Sequence, residues 1–209
     1  MDTTPTRTRP GMRRASGNDI DHLSRLFAAA FVRDPVFDWM VKSGEGRLAA
    51  LKGFFQWVLK SRTIPPGETW MRPDGLAAAA WIPPGVADSA SFFIDQLRLT
   101  PLLLNLTGVS RLRRGAALAN AMEEHPAEPH YYLAFVAVAP NRQRQGMGTA
   151  ILEESLARID KAGAPAYLEN SNPRNLPLYQ RLGFRTIKEV RAGEGAPPLF
   201  AMWRPARGR

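Results

Sequence analysis

The 209-residue sequence predicts a single α/β domain whose central sheet mixes parallel and antiparallel strands. The apolar run Leu133-Ala134-Phe135-Val136-Ala137-Val138 has the length of a strand buried on both faces, and Pro140 with Asn141 ends it. Met147, Ile151, Leu152, Leu156 and Ile159 then fall at helical spacing and lead into a second short run, Ala166 to Glu169. Strand, helix and strand in that order suit a parallel pair. The extended runs Glu68 to Arg72 and Leu76 to Ile82 are joined at Pro73-Asp74-Gly75, and aspartate-glycine at such a junction is an antiparallel hairpin signal.

The remaining elements are consistent with this. Residues 1–10 read as a flexible basic arm and 11–209 as one domain. Gly11 to Ala15 is predicted as a first edge strand, followed by a capped turn at Ser16 to Asp19. The helix Asp19 to Phe31 carries Ile20, Leu23, Leu26, Phe27 and Ala30 on one face, and Asp34-Pro35 breaks it. Short and long helices follow over Val36 to Val41 and Gly46 to Ser61. Residues 88–124 are helical in pattern, with a break at Thr100-Pro101. This insert is expected to wall the substrate side, with Arg111, Arg113 and Arg114 on a solvated face. Thr186 to Val190 and Leu199 to Trp203 complete the sheet.

Composition sets outer bounds. With no cysteine, disulfides, thiolate metal sites and a cysteine nucleophile are excluded. His125 and His130 do not form a familiar metal pair, so no metal is expected. The formal charge of +9 favours anionic partners without choosing among nucleic acid, a membrane surface and a nucleotide. No apolar run has the length of a membrane span, and the first residues lack the apolar centre of a secretory signal. A cytoplasmic protein without membrane or specific nucleic-acid partners is expected, as a monomer or homodimer.

Function is legible where the first of these strands hands over to its helix. Gly146 and Gly148 fall at the helix start, where the first backbone N–H groups lack intrahelical acceptors and the helix dipole adds positive charge to that of Arg142 and Arg144. Without Cβ atoms at these positions a bulky phosphate can approach those amides. A dinucleotide fold is a rival, since Glu169 follows the second glycine by about twenty residues, as a ribose-binding acid does. However, Ile151 stands where the third glycine is needed, and Pro140 and Gly146 are too far apart for the tight turn. Walker A and nucleophile-elbow patterns are absent.

The run Gln143-Arg144-Gln145-Gly146-Met147-Gly148 resembles the [Q/R]-x-x-G-x-[G/A] signature of the GNAT acetyltransferases. So does its context: the apolar strand before it, the strand Ala166 to Glu169, and then Asn175, Tyr179 and Leu182-Gly183-Phe184. The resemblance implies the GNAT acyl-CoA N-acyltransferase fold, with a bent mixed sheet flanked by helices, and acetyl-CoA as cofactor. It implies that residues Gln143 to Gly148, with Thr149, hold the diphosphate, and that the pantetheine arm pairs with main-chain groups of the bulged strand at Val136, Ala137 and Val138. It further implies Asn175 on that arm and Tyr179 as the acid beside the thiol.

Acetyl transfer to an amine needs a neutral, aligned amine, a stabilised oxyanion and a protonated leaving thiolate. At the end of its strand, Glu169 faces the expected cleft and is the first candidate for the base, with Arg174 its alternative partner as a plain ion pair. His125 and His130, expected at the surface, are reserve bases. Tyr132, Asp34, Trp39 and Trp57 are candidates for the acceptor pocket, or else core and cap residues. The expected acceptor is a primary amine of a small molecule, with protein N-termini or lysines as the alternative. A non-catalytic acyl-CoA-binding protein or a basic nucleic-acid binder are readings of another class.

Overall fold

The computed structural model describes residues 11–86, 101–122 and 125–207. Seven strands form one sheet in the order β1-β2-β3-β4-β5-β7-β6: β1 Arg13–Arg14, β2 Thr69–Met71, β3 Ala77–Ile82, β4 Tyr131–Val138, β5 Ala166–Asn170, β6 Arg185–Arg191 and β7 Pro198–Arg204. Only β4 and β5 run parallel; their neighbours pair antiparallel. Helices α1 Ile20–Phe31, α2 Pro35–Met40 and α3 Arg47–Val58 precede β2. Residues 101–107 are helical (α4), and α5 Leu112–Ala121 follows. Helix α6 Met147–Lys161 connects β4 to β5, and α7 Leu176–Arg181 follows β5.

Two cores lie on the two faces of this sheet. Leu23, Phe27, Leu51 and Phe55 of α1 and α3 are fully buried, and Phe135 of β4 meets Phe55 edge-on at 5.1 Å. On the other side Ile151, Leu152, Leu156 and Ile159 of α6 pack with Trp81, Leu168, Phe184 and Met202. Four consecutive alanines, Ala77 to Ala80, are fully buried between these layers.

The sheet departs from regularity where the site will be. Trp81 pairs with Leu133 but Ala80 pairs with Phe135, which leaves Ala134 as an extra residue in β4. The bulge reverses the side-chain alternation. Tyr131 and Leu133 before it, and Val136 and Val138 after it, all pack on the α6 side, whereas Phe135 and Ala137 face α1. Pairing of β4 with β5 stops at Tyr131↔Ala166 and Tyr132↔Tyr167, and the strands then part. The expectation that β4 is buried on both faces is therefore corrected. Only Leu133 and Ala137 are buried, because the strand's later half borders a split in the sheet.

Helix α6 is bounded by glycine at both ends. Gly146 is its N-cap at φ +80°, and Gly163 lies just beyond its last turn at φ +64°. The amide of Gly163 donates to Asp160 O and that of Ala164 to Ile159 O, a Schellman closure. Asp160, near this end, accepts both Arg204 guanidinium nitrogens at 2.6 and 2.7 Å, while Arg204 Nε donates to Leu182 O. Arg204 is only 2% exposed. Asp160→Ala strands that buried charge and should cost about 3–5 kcal/mol in urea unfolding.

The insert differs from expectation in one respect. Phe92, Phe93, Ile94, Leu97, Leu99 and Thr100 lie outside the described residues. Within them, Arg111 donates to Asp38 O and Val41 O and Arg114 to Trp39 O. Arg113 and Arg114 are exposed, as on a solvated face, while Arg111 and Arg114 also close the C-terminal end of α2, because the last carbonyls of a short helix need external donors.

Candidate active site

The turn from β4 into α6 is exposed and carries Arg142 and Arg144. Arg144 is the one non-glycine residue at positive φ among the described residues (φ 60°), and Gly146 follows in the same left-handed region. The amide of Ala150 donates to Gly146 O at 3.0 Å, so the amides of residues 147–149 precede the helix's own bonding and face outward. A Cβ at Gly148 would lie 3.5 Å from Val138 Cγ2. Glycine there leaves the approach along β4 clear. Arg142 and Arg144 have no carboxylate partner among the described residues, so their charge is available to a ligand.

β4 presents an unpaired edge beside this cradle. Ala139 N donates to Leu76 O, so residue 139 bonds toward β3. Val138 O instead accepts from the Gln143 side chain at 3.3 Å. By alternation, the main-chain groups of Val136 and Val138 point into the split while those of Ala137 point to β3. Ala137 is 3% exposed and packs with the α1 core. Its side chain thus helps to hold the strand against the α1 core.

Tyr179 borders the split from the α6 side. It is 6% exposed, and its ring meets Phe184 edge-on at 6.1 Å. Burial, and secondarily the negative Asp34, push its phenol well above the ordinary tyrosine range, so it holds its proton throughout the neutral range. Asn175 is the exposed N-cap residue of α7, one turn before Tyr179. Asp34 lies on the opposite side, where Oδ1 caps α2 by accepting from Val36 N and Phe37 N at 3.0 and 3.3 Å. Its Oδ2 accepts the hydroxyl of Ser171, the residue after β5. Burial raises the Asp34 carboxyl, with these hydrogen bonds opposing it.

Glu169 is held by phenols and not by Arg174. Tyr132 OH donates to Oε2 at 2.7 Å and Tyr167 OH to Oε1 at 2.9 Å, while His125 Nε2 is 3.4 Å from Oε1. The Glu169 side chain is 5% exposed and that of His125 27%. Burial, then the Glu169 charge, raises the Tyr132 phenol far above its usual range. The two histidines, expected at the surface, pack instead into this group. Their rings are 5.7 Å apart, and the His130 ring meets Trp203 at 5.5 Å. Burial lowers His130, whose Nδ1 lies 2.7 Å from Glu128 O.

An open cavity of about 650 Å³ lies between the start of α2 and the loop joining β6 to β7, lined among others by Pro35, Asp38, Trp39, Arg191 and Glu194. Of the four pocket candidates, Trp39 lines this cavity directly, with the Arg114 guanidinium 5.4 Å above its ring. Asp34 is not among the lining residues, although Pro35 after it is, and Tyr132 is bonded to Glu169. Trp57 is not among the lining residues and carries Arg62 over its ring at 5.6 Å.

This arrangement matches known proteins. The model of the Acetyltransferase (GNAT) family matches residues 100–184, which contain the bulged strand, the glycine turn, Glu169 and Tyr179. Over these residues, fewer than half of the chain, it is similar to the GNAT acetyltransferases. An uncharacterised N-acetyltransferase of Schizosaccharomyces pombe is 24% identical over 182 residues, covering 82% of this chain and 73% of that one. Among solved structures, a histone acetyltransferase HPA2-related acetyltransferase of Corynebacterium glutamicum superposes with TM-score 0.71 at 23% identity, over 96% of this chain and 98% of that one. Arylalkylamine N-acetyltransferase 2 of Aedes aegypti gives 0.67 at 13% identity, over 94% and 98%. The polyamine N-acetyltransferase of Drosophila melanogaster gives 0.61 at 17%, over 92% and 97%. These structural likenesses establish the GNAT fold.

In this domain of GNAT fold several residues around Glu169 and the cavity escaped the sequence reading. Ser171 and Tyr167 flank Glu169 at spacings of two, so β5 carries Tyr167 and Glu169 on one face and Ser171 follows its end. That period was readable in the run Tyr167 to Ser171. Arg191 and Glu194 gave no comparable signal, because their approach to α2 depends on how the β6–β7 loop folds back.

Proposed function

We propose that the chain transfers an acetyl group from acetyl-CoA to the primary amine of a small molecule, by direct attack with both bound. The observation that carries this reading is the outward-facing amide cradle of α6 set against the unpaired edge of β4. The residues fit the cofactor: Gln143, Arg144, Gln145, Gly146, Met147, Gly148 and Thr149 would hold the diphosphate, Val136 and Val138 the pantetheine amides by main-chain pairing, and Asn175 the arm beyond. Acetyl-CoA supplies the acetyl group as a thioester with a thiol to leave.

The chain's own groups manage the protons. Tyr179 keeps a proton at its phenol oxygen for the departing sulfur. Glu169 is the base, reached through Tyr132: the phenol oxygen accepts a proton from the amine as its own proton moves 2.7 Å to Glu169 Oε2. His125, beside Oε1 and partly exposed, returns that proton to solvent.

An aminonucleoside such as puromycin is the first acceptor to test, since Tyr167-Leu168-Glu169-Asn170-Ser171-Asn172-Pro173-Arg174-Asn175 and the following residues to Phe184 resemble puromycin N-acetyltransferase. The polyamine and arylalkylamine enzymes that share the fold also act on small amines, by their names. A thiol-release screen over an amine library, with N-terminal and lysine peptides included, tests the reading. Turnover with small primary amines is expected. Turnover with peptides alone would transfer the assignment to a protein acceptor.

A further inference from the structure

We infer that Asp34 and Ser171 form the seat of the acceptor's amino group, binding it as a primary ammonium. This deepens the acetyl-transfer reading and rests on it. Asp34 has no lysine or arginine partner among the described residues, although it is largely enclosed and its hydrogen-bond donors are the neutral Val36 N, Phe37 N and Ser171 Oγ. An enclosed carboxylate without a cation is costly to maintain, and an arriving ammonium would compensate it. Capping α2 uses Oδ1 alone. The Ser171 bond on Oδ2, from a residue 137 positions away, is not needed for that cap.

Ser171 supplies the complementary half. Its single hydroxyl proton is committed to Asp34, which leaves the oxygen lone pairs as acceptors for an N–H. It lies two residues beyond Glu169, just past the end of β5, so an amine held there stands near the Glu169 group. Asp34 also acts electrostatically on Tyr179 from across the split where β4 and β5 part. The seat is therefore near both groups that manage the protons. Pro35, the next residue, lines the open cavity.

The test separates charge from architecture. Asn is as good an N-cap as Asp, so Asp34→Asn keeps α2 capped while removing the charge, and because burial disfavours the ionised carboxyl it should melt no earlier than the wild type. Ser171→Ala removes the hydroxyl. Because the inference concerns only the amino group, n-butylamine and puromycin serve as probe acceptors in a thiol-release assay, with acetyl-CoA binding followed by calorimetry. The KM for either amine should rise about tenfold or more in Asp34→Asn, equivalent to about 1.4 kcal/mol, and several-fold in Ser171→Ala, while acetyl-CoA affinity stays within about twofold. Wild-type amine KM values in both variants overturn the inference, as does a parallel loss of acetyl-CoA affinity. A wild-type chain that binds acetyl-CoA but releases no thiol with any amine overturns the acetyl-transfer reading itself, and the seat with it.

Discussion

Gly148→Glu should abolish acetyl-CoA binding without unfolding the domain. The substituted position lies on the first turn of α6, where Gly148 has no left-handed requirement and an added Cβ meets only Val138 Cγ2 at ordinary contact distance. The backbone therefore accepts a side chain. The ligand site does not, because the new carboxylate would project where the outward amides and two arginines are arranged to receive a diphosphate. A unit charge of the wrong sign about 4 Å from a phosphate near a protein surface is worth on the order of 4 kcal/mol. This corresponds to a rise in Kd of a hundredfold or more. Gly148→Ala is the matched control and should bind within several-fold of wild type. Calorimetric titration with acetyl-CoA measures both, and unimpaired binding by Gly148→Glu would place the diphosphate elsewhere.

Tyr179→Phe should lower turnover by about a hundredfold or more, the range for loss of a positioned general acid, with acetyl-CoA affinity nearly unchanged. The ring's burial and its edge-on contact with Phe184 do not involve the hydroxyl, so the variant should fold normally. Because burial and the Asp34 charge hold the phenol above its ordinary range, the wild type should show no alkaline loss of rate from this group below about pH 10. Steady-state kinetics across pH check both statements. Wild-type turnover in Tyr179→Phe would remove the acid role and leave Tyr179 as a core aromatic.

Much of this could be read from residues because the informative features are local. The hairpin at Asp74-Gly75, the period of α6 and the glycine turn each depend on neighbours in sequence, and each appears close to its expected bounds. The signals failed where long-range geometry decides. The bulge at Ala134 is implied by the family resemblance but carries no residue signature of its own, since it reflects a mismatch in register with β3. Ser171 and Asp34 meet only after the sheet is assembled, and the partners of Glu169 come from β4, β5 and the loop before β4. His125 and His130 looked exposed beside their prolines. Their packing follows from the aromatic surfaces of Tyr132, Tyr167 and Trp203, which the sequence holds far apart.

All of these expectations depend on an anion being received where β4 passes into α6. A crystal of the protein grown with coenzyme A locates that anion directly. The diphosphate should lie against the main-chain amides of residues 144–149, with the pantetheine arm along the unpaired edge at Val136 and Val138. A diphosphate found anywhere else on the molecule would contradict the account.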